Sequence, residues 1–443
     1  MSYNGRSFLM FAISVGIAFF VFWFGCSSSP SIPDKYVSKN RKVEVVREKN
    51  GKFMLYRNGE PYYIKGAAGY DHYDRLAAYG GNSVRVWHTD DAQRILDEAH
   101  KHGLTVMLGL WMQREREGFN YYDKELVEQQ KEELKQVVLK YKDHPALLMW
   151  GIGNELYAEG SNVKVWDAVN GIAEMIHEVD PDHPTTTTVM NVPQKVVNLI
   201  ADRCPALDVL SINSFGGLYN LHDEIGKSDW KGPYVVTEFG GRGYWESYLT
   251  WWNAPIEQTS TEKADFTRRF YKEIISTDTT QCLGSYVFLW GNKQETTPTW
   301  FTMIDGNGEE TEMVHVMQEL WSGKEAGNKA PYIAYVKLNH QFAFDQIYLR
   351  PNQTYLGAAY TFDPDQDTLQ LHWEVLPEVK PEDGNVGNEI TPEPIPGLLS
   401  NHGDNKLILK TPDKEGAYRL YLYVRDGNKN LATANVPFYV MNY

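Results

Sequence analysis

The sequence predicts an α/β chain: a (β/α)₈ barrel over residues 51–322, then an all-β sandwich over residues 332–443. Three observations carry that expectation. Short β-rich runs alternate with polar turns and helical stretches from residue 61 onward. Each run is apolar almost throughout, as in a parallel sheet covered on its outer face. After Pro331 the helical periodicity gives way to residue-by-residue alternation.

The runs begin at Pro61 (PYYIKGAAG), Ser83 (SVRVWH), Thr105 (TVMLGLW), Ala146 (ALLMWGIGNE), Thr185 (TTTTVMN), Leu207 (LDVLSINSF), Pro233 (PYVVTEFG) and Ser285 (SYVFLWGNKQ). Eight such units fit a closed barrel, whose usual size is ~250 residues. Between the second and third runs a helix is expected. Thr89 or Asp90 can cap its start, Ala92, Ile95, Leu96 and Ala99 recur at helical spacing, and Gly103 ends it. Leu126 to Tyr141 is amphipathic in the same way, with Leu134, Val137, Val138 and Tyr141 on one side and a solvated Glu/Lys face opposite. Residues 323–331 (GKEAGNKAP) are small, polar and breaker-rich, a linker. Beyond it, residues 369–375 and 417–425 alternate, and Asp426-Gly427 signals a hairpin. An immunoglobulin-like β-sandwich without chemistry of its own is the expectation there.

The front of the chain reads as an address. Ser7 to Gly25 carries no charge and is followed by Cys26 and Ser27-Ser28-Ser29-Pro30. Residues 1–25 resemble a bacterial lipoprotein signal, with Cys26 the lipidated residue and 26–50 a tether and lead-in. An uncleaved anchor is the alternative, since such a run can just span a bilayer. Either places the body outside the cytoplasm, tethered to a membrane facing the periplasm or the cell surface.

Composition narrows the partner. Lys+Arg number 43 against 58 Asp+Glu in 443 residues, a formal charge of −15, which speaks against nucleic acid. With 28 Tyr, 18 Phe and 13 Trp, aromatics are abundant enough to serve both a large core and a surface that stacks on sugar rings. Apart from Cys26 there are only Cys204 and Cys282, too few for a disulfide framework or a zinc site; they are buried singly or paired with each other.

Barrel active sites lie at the C-terminal ends of the strands, so strand-end polar residues matter most. Two strands end in Glu: Gly151-Ile152-Gly153-Asn154-Glu155 on the fourth and Val236-Thr237-Glu238-Phe239-Gly240 on the seventh. Paired carboxylates suit glycosidic cleavage, one protonating the leaving oxygen and the other attacking or stabilising the sugar carbon. The acid needs a raised pKa, which a dry pocket or a second carboxylate supplies. Two other acidic runs read as turns. His177 to His183 falls at the lower face of the barrel, and Asp363, Asp365 and Asp367 lack the Gly and distal Glu of a calcium loop.

Asn-Glu closing strand four with Glu closing strand seven resembles the signature of the clan A retaining glycoside hydrolases. Residues 51–322 resemble the catalytic barrel of glycoside hydrolase family 2, through Gly81-Asn82-Ser83-Val84-Arg85-Val86-Trp87-His88 and the run from Ile95 to Leu110. A barrel followed by a sandwich is similar in layout to the endo-β-1,3-glucanases of glycoside hydrolase family 158. The resemblance implies that Glu155 is the acid/base and Glu238 the nucleophile. It further implies that Asn154 bonds the sugar 2-hydroxyl, Arg85 keeps Glu238 ionised, His88 lines the pocket and Trp290 forms its stacking floor. On strand six, Asn213-Ser214-Phe215 places Phe where relatives commonly carry a Tyr bonded to the nucleophile; Tyr219 or Tyr244 supplies that hydroxyl, or the nucleophile lacks it. Trp111, directly after strand three, is a candidate further subsite. The expected activity is retaining hydrolysis of a β-linked oligosaccharide or polysaccharide, a β-glucan first of all. Transfer to a sugar acceptor at the same site and a non-catalytic polysaccharide-binding lipoprotein are the rivals. No metal or organic cofactor is implied.

Overall fold

The computed structural model describes residues 34–157, 162–379, 389–401 and 405–442. Cys26 and the expected signal lie outside these. A small antiparallel sheet opens the fold: β1 (Val43–Arg47), β2 (Phe53–Arg57) and β3 (Glu60–Pro61). Strand β1 falls inside the segment expected to be tether and lead-in. Its alternating Val43 and Val45 are buried, joining Phe53, Leu55 and Tyr36 in one apolar cluster with Ile64, Leu148, Val209, Val235 and Leu283. This sheet closes the bottom of the barrel, so residues 43–47 belong to the folded body.

The barrel closes on itself from β4 (Ile64–Ala68), β5 (Ser83–Val86), β6 (Thr105–Leu110), β7 (Leu147–Asn154), β8 (Thr185–Met190), β9 (Val209–Asn213), β10 (Tyr234–Phe239) and β11 (Cys282–Val287), with β11 beside β4. All eight pairings are parallel. Each grows from one of the eight apolar runs, and β5, β6, β9, β10 and β11 are buried at every position. The helices are α1 (Tyr73–Ala78), α2 (Ala92–Lys101), α3 (Lys124–Tyr141), α4 (Lys164–Val179), α5 (Gln194–Arg203), α6 (Leu221–Lys227), α7 (Ser260–Glu273) and α8 (Glu312–Ser322).

Helix α2 buries the Ala92, Ile95, Leu96 and Ala99 expected, and Gly103 follows at φ +72°. Its start departs from expectation. Neither Thr89 nor Asp90 caps with a side chain; the Ala92 amide donates to the Thr89 carbonyl at 3.1 Å, and Asp91 stands at the cap with its carboxylate paired to Arg94. Helix α7 is better defined, with Thr259 Oγ1 accepting from the Glu262 amide at 3.1 Å and Glu262 Oε2 accepting from the Thr259 amide at 2.8 Å. The acidic run after α4 is a helix stop. Asp180 accepts from the Trp150 indole at 2.8 Å and pairs with His183, and His177 pairs with Asp208.

Beyond residues 323–331 come β12 (Tyr332–Leu338), β13 (Tyr348–Leu349), β14 (Thr354–Phe362), β15 (Gln370–Pro377), β16 (Leu399–Asn401), β17 (Lys406–Lys410), β18 (Gly416–Arg425) and β19 (Leu431–Val440). They form two four-stranded sheets, β12-β14-β17-β16 and β13-β19-β18-β15, over one apolar core that includes Leu338, Trp373, Leu409, Leu422 and Phe438. Cys204 and Cys282 are buried and unpaired with each other.

Sandwich and barrel are joined by buried charge. Arg419 has no exposed surface; its guanidinium pairs with Glu378 and donates to Asn435 Oδ1 at 2.8 Å and to the Pro255 carbonyl at 2.9 Å. Asn435 donates onward to Glu257 Oε2 at 2.5 Å, and Glu257 also takes Lys263 at 2.5 Å and the hydroxyls of Thr297 and Thr299. The loops after β10 and β11 are thereby fastened to β18 and β19.

Candidate active site

Arg85, buried on β5, organises the C-terminal mouth of the barrel. Its guanidinium donates to Glu238 Oε1 at 2.6 Å, the Thr237 carbonyl at 3.0 Å, Asn213 Oδ1 at 3.3 Å and Asn154 Oδ1 at 2.7 Å. One cation thus engages β7, β9 and β10 from β5. A buried guanidinium is tolerated only when its donors are spent in this way. Glu238 is 8% exposed and accepts a second bond on the same oxygen, from the Trp87 indole at 2.9 Å. The guanidinium sits 5.1 Å from the Trp87 ring, whose other neighbours are Tyr70 and Phe288. Close approach of backbones helps to place that Trp, because a Cβ on Gly109 would lie 2.3 Å from the Trp87 carbonyl.

Two register shifts aim the carboxylates. Between β9 and β10 the partners run Val236↔Ile212 and then Glu238↔Asn213, an extra residue on β10. Between β7 and β8 they run Gly151↔Thr186 and then Asn154↔Thr188. Such irregularities re-aim side chains at barrel rims. Glu155 then turns in the left-handed region, φ +51°, with its amide donating to the Thr188 carbonyl at 3.0 Å. That conformation costs a non-glycine residue on the order of 1 kcal/mol and is held by its surroundings.

Asn213 links Glu155 to Arg85, and through Arg85 to Glu238. Its Nδ2 donates to Glu155 Oε1 at 2.7 Å, and its Oδ1 accepts from Thr237 Oγ1 at 2.9 Å and from Arg85. Burial and the nearby charge of Glu238 push the Glu155 carboxyl up to about 7, against the opposing pull of Asn213 and Arg85. Glu295, on the loop after β11, is a third buried acid. Burial raises it, Lys293 at 2.6 Å opposes that, and Glu238 and Glu389 push it up further. A carboxyl whose pKa is raised, set near a second carboxylate bonded to a guanidinium, is the kind of pair that can divide proton delivery and nucleophilic attack between its members.

Residues 70–259 match the family model described as the TIM barrel domain of glycosyl hydrolases family 2. The barrel is family-2-like. The chain is 29% identical over 232 residues to the β-galactosidase of Thermoanaerobacter pseudethanolicus, covering 48% of this chain and 28% of that protein. It is 22% identical over 243 residues to the β-glucuronidase of Chlorocebus aethiops, covering 49% of this chain and 33% of that one. It therefore spans about a third or less of these relatives' length. The β-D-glucuronidase structure from Dictyoglomus thermophilum superposes with a TM-score of 0.50 at 18% identity, covering 64% of this chain and 54% of the other, which is a likeness of fold.

At the mouth of this family-2-like barrel, Arg85, Asn154, Glu155, Asn213 and Glu238 meet in one hydrogen-bonded network. His88 and Trp111 stand at its rim. The His88 ring stacks on Tyr70 at 5.6 Å and meets Trp111 edge-on at 6.1 Å, and Arg114 lies 4.4 Å over the Trp111 ring. Two expectations fail. Trp290 is not a stacking floor: it is 1% exposed, packs on Tyr79 and Trp321 in the layer beneath the helices, and donates its indole N–H to the His72 carbonyl at 3.1 Å. Strand β11 ends three residues before it, so its ring turns outward into the core. Tyr219, at 75% exposure, is too far into solvent to bond the buried Glu238. The Trp87 N–H occupies the donor role sought from a tyrosine.

Trp87 was legible as an aromatic in the strand-two motif, yet nothing in the sequence marks its N–H as a carboxylate donor. Glu295 and Glu389 carried no signal. Glu389, from the sandwich, accepts from the Thr296 amide at 2.6 Å and from Gln294 Nε2 at 3.3 Å, bringing the second domain to the loop that holds Glu295.

Proposed function

We propose that the protein is a retaining β-glycosidase acting on a neutral β-linked oligosaccharide or polysaccharide. The observation that carries this is the Glu155–Asn213–Arg85–Glu238 chain of bonds, which sets a carboxyl held near neutrality beside one tied to a guanidinium. Glu238 attacks the anomeric carbon as Glu155 protonates the departing oxygen; Glu155 then takes a proton from water, which releases the sugar. The charges explain how Glu155 changes role. Once Glu238 is esterified its negative charge is gone, one cause of the raised Glu155 pKa disappears, and the group becomes able to act as an ionised base.

A pH dependence follows. Glu155 must be protonated for the first step, so kcat/KM is expected to fall as pH rises through about 7, the alkaline limb vanishing in Glu155→Ala assayed with an activated aryl glycoside. An alkaline limb unchanged by that substitution would remove Glu155 from the acid role.

Neutrality of the substrate is argued from charge. Glu155, Glu238 and Glu295 cluster about the crevice with Glu389 beside them, whereas Arg85 is spent on Glu238 and the asparagines and Lys293 on Glu295. A uronic acid would bring a further negative charge among these acids, whose adjacent cations Arg85 and Lys293 are already paired. Exposed Trp245, Tyr248 and Trp251 follow β10 and suit stacking on a longer glycan. The barrel-plus-sandwich layout, read as barrel and immunoglobulin-like module, keeps a β-1,3-glucan first among polymers to test. The leader residues support a lipid tether through Cys26 outside the cytoplasm.

Initial rates on p-nitrophenyl β-D-glucoside, β-D-galactoside and β-D-glucuronide, with laminarin and β-1,4-glucan alongside, test the reading. At least about tenfold preference for a neutral glycoside is expected, as one uncompensated charge costs at least about 1.4 kcal/mol. Preference for the glucuronide would overturn neutrality, and no turnover across the panel would favour a binding protein.

A further inference from the structure

We propose that Asp363, Asp367 and Asp426 form a calcium site at the joint between linker, sandwich and barrel. The turn after β14 supplies the first two residues and the β18–β19 hairpin the third. One carboxylate oxygen from each lies within 4.8 Å of the others. Oxygens bound to one Ca²⁺ at about 2.4 Å can be no more than about 4.8 Å apart, a limit that these three meet.

Asp363 is the residue that asks for one. It is 9% exposed, and its Oδ2 is buried without a hydrogen-bond partner. Its Oδ1 is spent on the amides of Asp365 and Asp367 at 2.8 and 3.0 Å, which leaves Oδ2 free to take a ligand. Asp367 Oδ2 accepts from Asn328 and Asn428 side chains at 2.6 and 2.9 Å. Asp426 Oδ1 accepts from the amides of Asn428 and Asn430 at 2.7 and 3.1 Å, and its Oδ2 from Asn430 Nδ2 at 2.6 Å. All of these donors are neutral. Among the described residues none of the three acids forms an ion pair; the nearby Lys329 is paired with Glu325, and Arg425 with Asp305 and Glu309. Three carboxylates so placed repel one another unless a cation or protons intervene. Hard oxygen donors without nitrogen or sulfur select calcium over zinc, and a cage supplied by the protein suits calcium better than magnesium.

The ion would act on the joint. Asn328 and Lys329 of the linker bond to Asp367 and Asp365, and the same hairpin exchanges backbone bonds with the barrel, Glu310 N to Lys429 O and Leu431 N to Glu310 O, both at 2.8 Å. Differential scanning calorimetry of the full chain in 5 mM CaCl₂ and in excess EGTA tests the site. Calcium is expected to raise Tm by about 5 °C, as a ligand near 100 times its Kd would. Asp363→Asn should abolish the rise, whereas Asp365→Asn, whose carboxylate serves Lys329, should keep it. Equal Tm in the two buffers, or a full rise in Asp363→Asn, overturns the proposal. Should Asp363→Asn fail to fold, titration calorimetry on the unaltered chain decides: one Ca²⁺ per chain supports the site, and no heat at millimolar Ca²⁺ overturns it.

Discussion

Glu238→Gln is expected to lower kcat on an aryl β-glycoside by at least about 10⁴-fold while leaving the protein folded. The amide keeps the volume of the carboxylate, and its oxygen can still accept from Arg85 and Trp87, which donate at 2.6 and 2.9 Å in the unaltered protein. What is lost is the ability to form a glycosyl ester, and removal of a nucleophile costs on this scale. Residual activity within a factor of ten, in a variant with an unchanged thermal transition, would take the nucleophile's role from Glu238.

Glu155→Ala should behave differently, because its loss can be repaired from solution. General acid catalysis contributes typically 10²–10⁴-fold, so a glycoside with a poor leaving group should slow by about that much. A dinitrophenyl glycoside needs no proton and should still load Glu238, after which the glycosyl-enzyme waits for a base. Azide requires no deprotonation, fits the space vacated by the side chain and should restore turnover, giving a β-glycosyl azide. An α-glycosyl azide would reverse the two roles. Absence of any azide effect, with the transition temperature retained, would remove Glu155 from catalysis. Both experiments assume carboxyl groups about 5–5.5 Å apart, the spacing of a retaining pair.

The barrel was legible because parallel strands covered on both faces leave long apolar runs, and each of β4 to β11 arises from one. Strand ends were equally legible, so Arg85, Asn154, Glu155, Asn213 and Glu238 converge as expected. What escaped was rotation and register. Trp87 and Trp290 both follow strand ends, yet one ring turns to a carboxylate and the other into the helix layer. The extra residue that sets Glu238 opposite Asn213 is a matter of pairing between strands, which a linear pattern does not encode. Glu389 meets Thr296 across 93 residues of chain, and no local signal announces such a meeting. The sandwich was legible as alternation, but the calcium-competent geometry depends on a hairpin 59 residues beyond Asp367 and on linker asparagines that sequence alone leaves unplaced.

The Arg419–Asn435–Glu257–Lys263 chain has a consequence for how the molecule can be cut or evolve. Excising the sandwich would strip Asn435 from Glu257, and losing a hydrogen bond to a buried charged group typically costs about 1.5–3 kcal/mol. The loops so released are those carrying Thr297 and, two residues earlier, Glu295. Barrel and sandwich are therefore one heritable unit: a recombination that swaps the C-terminal half must bring its own counterpart to Asn435, or forfeit the crevice wall on the opposite side of the joint.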